Sequence, residues 1–520
     1  MYDPSMTSTS ESKFLLVREI PHGLAILVLI CLGGFFISLL INYPGFMSPD
    51  SSDQLIEARN GVYSDWHPPF IAFLWHFTDR IIEGSFGMLL LLTALIWLGT
   101  FLVTLYWFNK ERFTLLSLFP ALIVFYPPLF GISGTIWKDN FMWAFLMMAI
   151  GAAGSLEPVS STRRWVSYVK LAIIASLLLM AMLARHNAVF AAVPIMILSI
   201  ARFLGKHPPL YRIAVPSAVG LLVCVLLQFC GGLTTEYLAT YKTNVWGQLA
   251  IFDVAGIIYR MPDHQQQQTF YARVPPRLRG AGSVDRLLET YDPSNSLTIQ
   301  WGPEELLALR ADGNAVVPGK QPAFGCAMDN DPSAPPNNVF DTYCFELTEQ
   351  EKGSLIQLWS TSVIHFPLEW LSHRMSVFRH VIGTPYGSVY MDQKPEYWLA
   401  KILGHPAPDL KRFQTRVKWF LDRLTVHLML LYKPWVYLAL TITIIGACLL
   451  SLAEERLQIA LIAASGLAHE AGLFLLAPAS DYSYSHYMIY TSIVALLLLL
   501  RTYLIGPLRE GTAQPATRVG

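Results

Sequence analysis

The chain has 520 residues, 53 % of them hydrophobic and 14 % charged, and its 37 basic and 37 acidic side chains cancel to zero net charge. Soluble domains carry about a quarter charged residues, and a mean hydropathy of +0.41 points to a membrane protein. The charge balance excludes a globally basic nucleic-acid binder, and six cysteines are too few for a disulfide scaffold.

A membrane span needs roughly 20 apolar residues. Ten stretches are candidates: 23–42, 86–108, 113–130, 139–155, 168–184, 188–204, 213–231, 433–452, 457–476 and 487–504. The expected fold class is therefore an all-α polytopic membrane protein of about ten transmembrane helices. It divides into an N-terminal membrane domain (1–231), a large extracytoplasmic loop (232–432) and C-terminal membrane helices (433–520). The first run, Leu24 to Ile41, has no small-residue cleavage site after it and reads as a span rather than a cleavable signal.

That run is followed by Asn42-Tyr43-Pro44-Gly45-Phe46-Met47-Ser48-Pro49-Asp50-Ser51-Ser52-Asp53, and then by Ser64-Asp65-Trp66-His67-Pro68-Pro69. Three carboxylates and a histidine thus gather where the first helix leaves the bilayer, a costly place for acids without a task. A short helix is expected from the Pro49-Asp50-Ser51 corner, capped by Ser51 or Ser52. A second is expected from His67 to Ile82, opened by the proline pair, and reads as interfacial or re-entrant.

The Lys and Arg residues of the short loops set the orientation. With the N-terminus inside, Lys13, Arg18, Lys110, Arg112, Arg163, Arg164, Lys170, Arg202, Lys206, Arg212 and Arg456 are cytoplasmic, whereas the short outer loops hold only Lys138 and Arg185. The loop 43–85, the Trp137-Lys138-Asp139-Asn140 turn, the tight Arg185-His186-Asn187 hairpin and the segment Ser480 to His486 then share the outer face. In the long loop, 262–345 is rich in Pro, Gly, Asp and Gln and reads as irregular. There Cys326 and Cys344 would close a small loop in an oxidising compartment, while Cys31, Cys224, Cys230 and Cys448 lie in apolar segments. The flanks, Tyr237 to Arg260 and Leu355 to Val381, carry apolar residues at helical spacing, including Leu358, Trp359, Phe366, Trp370, Met375 and Phe378. They are expected to lie on the membrane surface as amphipathic helices.

The order of a span, an outer acid, a short helix, a Gly-containing turn and an aromatic-x-Pro-Pro step reads here Ser48-Pro49-Asp50-Ser51, Ala58-Arg59-Asn60-Gly61 and Asp65-Trp66-His67-Pro68-Pro69-Phe70. It resembles the membrane glycosyltransferases of the C-type fold, which include the protein mannosyltransferases and the lipid A aminoarabinose transferase. Those carry an Asp or Asp-Glu at the first position and Lys-Pro-Pro where this chain has His67-Pro68-Pro69. A serine follows Asp50 here, and Asp481-Tyr482-Ser483-Tyr484 lacks the arginine of the relatives' Asp-x-Arg-Tyr step. The resemblance implies inverting transfer of a sugar from a polyprenyl-phosphate donor to a lipid, polysaccharide or protein acceptor on the outer face, in a bacterial inner membrane with both termini cytoplasmic.

Such transfer needs a base for the acceptor hydroxyl and cations for the leaving phosphate. Asp50 is the expected base, with a helix cap as its structural alternative. Asp53, one turn on, and Asp65 are expected to bind acceptor or to make ordinary hydrogen bonds. His67, directed by the following proline, is expected to meet donor phosphate or acceptor. Lys138 and Arg185 are phosphate-binding candidates or snorkelling anchors, and Asp139 is expected to pair with Lys138. Arg374, with His373, Arg379 and His380, offers a second cationic set for donor phosphate or anionic headgroups. Tyr482, Tyr484 and His486 line either a sugar surface or the aromatic belt. A divalent metal on Asp50, Asp53 and His67 fits O and N ligand chemistry, but no metal-ligand spacing specifies one. Within the ninth span, His469 and Glu470 are buried polar groups, Glu470 expected in a polar cavity or paired with a base on another helix. A transporter, or a polymerase or ligase of lipid-linked glycans, is the competing class.

Overall fold

The computed structural model describes residues 19–110, 112–159, 164–205, 209–240, 245–274, 283–296, 348–383, 412–451 and 453–505. Among these the chain is helical throughout, with only two isolated β-bridges, Phe46 to Thr135 and Asn295 to Ala479. The Cys326–Cys344 pair lies outside the described residues.

Among the described residues six segments are long and apolar enough to cross a membrane: Gly23–Asn42, Phe86–Phe108, Arg164–Ala184, Ile213–Leu238, Glu454–Leu476 and Ser483–Leu504. The expected span 113–130 is instead a pair, Leu115–Phe125 and Pro127–Ser133, bent by 49°. The break falls at Tyr126, which its following proline pushes out of the helical region, at ψ 121°. Three more expected spans are short helices of 17, 17 and 16 residues, Lys138–Gly154, Ala188–Leu204 and Pro434–Leu449.

In chain order the helices are α1 (Gly23–Asn42), α2 (Pro49–Asn60), α3 (Pro69–Ile81), α4 (Phe86–Val103), α5 (Pro127–Ser133), α6 (Lys138–Gly154), α7 (Arg164–Ala184), α8 (Ala188–Leu204), α9 (Pro209–Leu238), α10 (Val245–Arg260), α11 (His264–Tyr271), α12 (Val284–Thr290), α13 (Glu349–His365), α14 (Pro367–Val381), α15 (Arg412–His427), α16 (Pro434–Leu449), α17 (Glu454–Leu476) and α18 (His486–Ile505). The main core forms where α4 packs on α6, α6 on α7, α8 on α9 and α17, and α17 on α18. Its centre holds Trp75, Phe141, Trp143, Tyr487 and Tyr490.

The flanks of the long loop build a second core. Phe252, Val254 and Ala255 of α10 pack with Leu355 and Leu358 of α13, Val377 and Val381 of α14, and Leu473 and Ala477 at the end of α17. Residues expected to face lipid therefore partly face each other: Leu358 is buried, and Trp359 and Phe378 pack against it, although Met375 stays exposed. Each buried aliphatic side chain here contributes roughly 1.5–3 kcal/mol.

The polar ends of the bundle separate cleanly. At one end Arg202 donates to Gln458 (2.8 Å) and to the Gly154 carbonyl (2.9 Å), joining α8, α17 and the end of α6. At the other end lie the loop between α1 and α4, the start of α6, the α7–α8 hairpin and the turn before α18.

Candidate functional site

The site begins at two strapped helix starts. The Phe46 N–H donates to the Gly134 carbonyl (3.0 Å), and the Ile136 N–H returns a bond to the Phe46 carbonyl (2.9 Å). The Ser51 hydroxyl donates to the Ile136 carbonyl (2.6 Å) and the Trp137 indole N–H to the Ser48 hydroxyl (2.7 Å). These bonds hold the first turn of α2 against the first turn of α6, which brings Asp50 to Lys138.

The cap of α2 is Ser48, not Ser51 or Ser52. Its hydroxyl accepts from the Ser51 N–H, and the Ser51 hydroxyl accepts from the Ser48 N–H, a capping box with Pro49 at the first helical position. With capping done by Ser48, the Asp50 side chain is available for other contacts.

Asp50 is about half exposed, and the Lys138 ammonium donates to its Oδ2 at 3.0 Å. Lys138 also donates to His67 Nδ1 at 2.7 Å. An ammonium has no lone pair to offer, so Nδ1 is the acceptor, and a neutral His67 must carry its proton on Nε2. Burial, reinforced by the Lys138 charge, pushes the imidazole down to about 3, so the ring is neutral at physiological pH. Its Nε2–H is buried, has no hydrogen-bond partner among the described residues, and lies 3.9 Å from the Asp50 carboxylate. Burial works to raise the Asp50 carboxyl, but Lys138 and His67 override it and hold that group well below the usual carboxylate range.

Along α2, Asp53 and Glu57 follow at helical spacing on the same side. Burial, with the charges of Asp50 and Glu57, pushes Asp53 well above the usual range, and its Oδ1 has no hydrogen-bond partner among the described residues. Glu57 is 3 % exposed and accepts from the hydroxyl and the N–H of Ser64. Burial raises it to about 7, against those two bonds. Asp65 lies within electrostatic reach of Glu57 and of His186.

Arg185 closes the other side. It pairs with Asp139 through Nη1, donates from Nε to Asn187 Oδ1 (3.0 Å), and lies 4.3 Å over the Tyr484 ring. Asp139 thus pairs with Arg185, not with Lys138, because the α2–α6 strap gives Lys138 to Asp50. Burial opposes the Arg185 charge, and Asp139, Tyr484 and Asp481 more than offset that, so it stays a cation. The hairpin is tight as expected, the Ala188 N–H donating to the Arg185 carbonyl (2.9 Å).

Three expected site residues lie elsewhere or are not described. His486 is buried beneath, its Nε2 on the Leu129 carbonyl (3.2 Å) and its ring 4.6 Å from Trp143. Arg374 belongs to the second core, paired with Asp253 (2.6 Å) and bonded to the Ala477 carbonyl (3.0 Å). The side chain of Tyr482 is outside the described ones. His469 and Glu470 of α17 are fully buried, and among the described residues the His469 ring nitrogens make no hydrogen bond. The Ser485 hydroxyl is the polar group facing Glu470, and no base pairs with it among the described residues.

The sequence reading missed Glu57, Ser64, His186 and the Arg185–Asp139 pair. Glu57 had a signal, two turns past Asp50 on the same face.

No protein-family model, curated protein or solved structure matches the chain. An ionised, half-exposed carboxylate sits beside a buried, unused N–H and two cations, at the mouth of a membrane-length helix. Such a set can accept a proton, donate a hydrogen bond to an oxygen, and neutralise an anion. Among the described residues no group of three or more His, Cys, Asp or Glu side chains is arranged to hold a metal ion.

Proposed function

We propose that the protein is an inverting glycosyltransferase that moves a sugar from a polyprenyl-phosphate donor to a hydroxyl acceptor at the outer face of the membrane. The observation that carries this reading is Lys138 shared between Asp50 and His67 at the point where α1 ends. In the reaction the acceptor oxygen attacks the anomeric carbon while the bond from that carbon to the phosphate oxygen breaks. The proton leaves the hydroxyl for Asp50, and the bonding pair leaves with the phosphate.

In the resting geometry Asp50 is a weak base, because Lys138 holds it ionised. A donor phosphate offers Lys138 a stronger partner than a half-exposed carboxylate does. As Lys138 turns to the phosphate, Asp50 loses its counter-charge and becomes more basic. Donor binding and activation of the base are then one event. The free Nε2–H of His67 is suited to the acceptor oxygen or to a phosphate oxygen, and Arg185 adds fixed positive charge behind it.

The topology that goes with this reading has ten spans. The bent pair counts as one, and α6, α8 and α16 cross as short helices. Both termini are cytoplasmic, in a bacterial inner membrane.

A second reading, translocation of a lipid-linked glycan, is favoured by one feature: two titratable side chains, His469 and Glu470, fully buried inside a membrane-length helix. Vesicles containing the purified full-length protein separate the two readings when loaded with labelled polyprenyl-phosphate sugars and crude envelope acceptors. New glycosidic product is the result expected. Movement of intact lipid-linked glycan between leaflets, with no new product, would replace the enzyme by a flippase.

A further inference from the structure

Helix α15 is built inside out for a helix in water. The face turned to the protein carries the buried polar groups Gln414 and Thr425, while Phe413, Trp419, Phe420 and Val426 are 42 %, 56 %, 55 % and 74 % exposed. At 100° per residue these four side chains fall on one side of the helix, with Arg416 and Arg423 between them. Both arginines are exposed, and the Arg423 guanidinium lies 4.2 Å over the Trp419 ring. The apolar surface continues past the helix through Leu428, Met429 and Leu430, all exposed.

One buried side chain ties this helix to the end of α1. Gln414 Nε2, with two hydrogens to donate, lies within hydrogen-bonding distance of the carbonyls of Leu40 (3.1 Å), Ile41 (3.3 Å) and Tyr43 (2.9 Å). Those are the carbonyls that a helix end leaves without intrahelical partners. Here the end belongs to α1, whose 20 residues are long and apolar enough to cross a membrane. Leu29, Leu32, Phe36 and Leu40 of α1 are exposed. The latch therefore sets the start of α15 at the level where a membrane-length helix, itself apolar on its exposed side, leaves the hydrocarbon.

We propose that α15 lies in the membrane plane as an interfacial helix, with its aromatic side chains in the upper acyl region and Arg416 and Arg423 on anionic phospholipid headgroups. Trp and Arg sharing one outward face suit that boundary, where an aromatic body is wetted on one side and a cation meets phosphate. The inference stands apart from the reaction proposed above and does not use it.

The test uses the full-length protein in phosphatidylcholine bilayers with and without phosphatidylglycerol. Phosphatidylcholine brominated high on the acyl chain is expected to quench a tryptophan signal that disappears in Trp419→Phe. Association of spin-labelled phosphatidylglycerol, relative to phosphatidylcholine, is expected to fall in Arg416→Gln/Arg423→Gln, by roughly fivefold per arginine. The double lysine variant, which keeps the charge, is expected to retain it. Quenching of Trp419 by aqueous iodide but not by bromolipid would overturn the proposal. So would protection from both quenchers, which means a protein surface covers the face, or an unchanged lipid preference in the glutamine variant.

Discussion

Two clusters in this molecule use the same kinds of group and do opposite things with them. Asp50, His67 and Lys138 make one; Asp253, His373 and Arg374 make the other. In the second, Asp253 is 2 % exposed, pairs with Arg374 and His373, and accepts from the Trp359 indole (2.8 Å). His373 Nδ1 meets the Tyr291 hydroxyl at 2.6 Å, and Arg374 is anchored on the Ala477 carbonyl. The aspartate and histidine there are partnered within the protein, and the cluster locks the outer helices to the end of α17. In the first, the carboxylate faces solvent and an N–H is left over. An acid, an imidazole and a cation become a site where solvent reaches the acid and one hydrogen-bonding position stays unused; sealed in, the same set is a rivet. Lysine rather than arginine suits the open cluster, being a compact charge on a flexible stem that can change partners.

Breaking each cluster at its acid separates the two roles most sharply. Asp50→Asn is expected to lower sugar transfer by about 10²–10⁴-fold while leaving the thermal unfolding midpoint in detergent near that of wild type. Asp253→Asn should do the reverse. It leaves Arg374 buried without its counter-charge, a loss of about 3–5 kcal/mol in folding stability, visible as a fall in that midpoint.

The next largest effect is a shift in pH dependence. Lys138→Met removes the charge that holds Asp50 down, so the acid limb of the transfer profile is expected to move to higher pH, with donor affinity weakened as well. Lys138→Arg keeps charge but not the compact bridge, and should restore donor binding better than transfer.

Glu57 gives a smaller, cleaner test, because its carboxyl is raised to about 7 in the fold against an ordinary 4.5. The folded state then holds a proton that the unfolded chain has released. Its contribution to stability is present below about 4.5 and declines as pH rises toward about 7. Unfolding of Glu57→Gln followed across that window should show a flatter pH dependence than wild type. Equal slopes would mean Glu57 is ionised in the fold.

Two glycines rank below these. Gly61 ends α2 at φ 66° with open space around it, so Gly61→Ala should cost only about 1 kcal/mol. A Cβ at Gly256 would run into the His373 ring, so Gly256→Ala should disturb the closed cluster and leave the open one alone.

How much of this was legible in the sequence follows from the same contrast. Asp50, His67, Lys138 and Arg185 could be singled out because charges at the ends of apolar runs are expensive and therefore conspicuous. Their pairing could not, since it depends on the Phe46–Ile136 strap between segments far apart in the chain. Arg374 was misplaced for a related reason. Its helix has apolar residues at surface-helix spacing, and only the distant Asp253 shows that the arginine points inward. The bend at Tyr126 was written in Tyr126-Pro127-Pro128, but the surrounding run was apolar enough to read as one span. Glu57 drew no notice in the sequence, because its burial depends on Ser64 folding back on it. The outward apolar face of α15 went unread because its orientation is decided by Gln414 reaching the end of α1.

The measurement that bears most directly on the central claim is a paired one on Asp50→Asn, in membranes at matched protein level: binding of a labelled polyprenyl-phosphate sugar, and its transfer. Donor binding is expected to be retained, because Lys138 and Arg185 remain, while transfer falls by about 10²–10⁴-fold. Transfer at the wild-type rate would contradict that claim, and would leave Asp50 as no more than the resting counter-ion of Lys138.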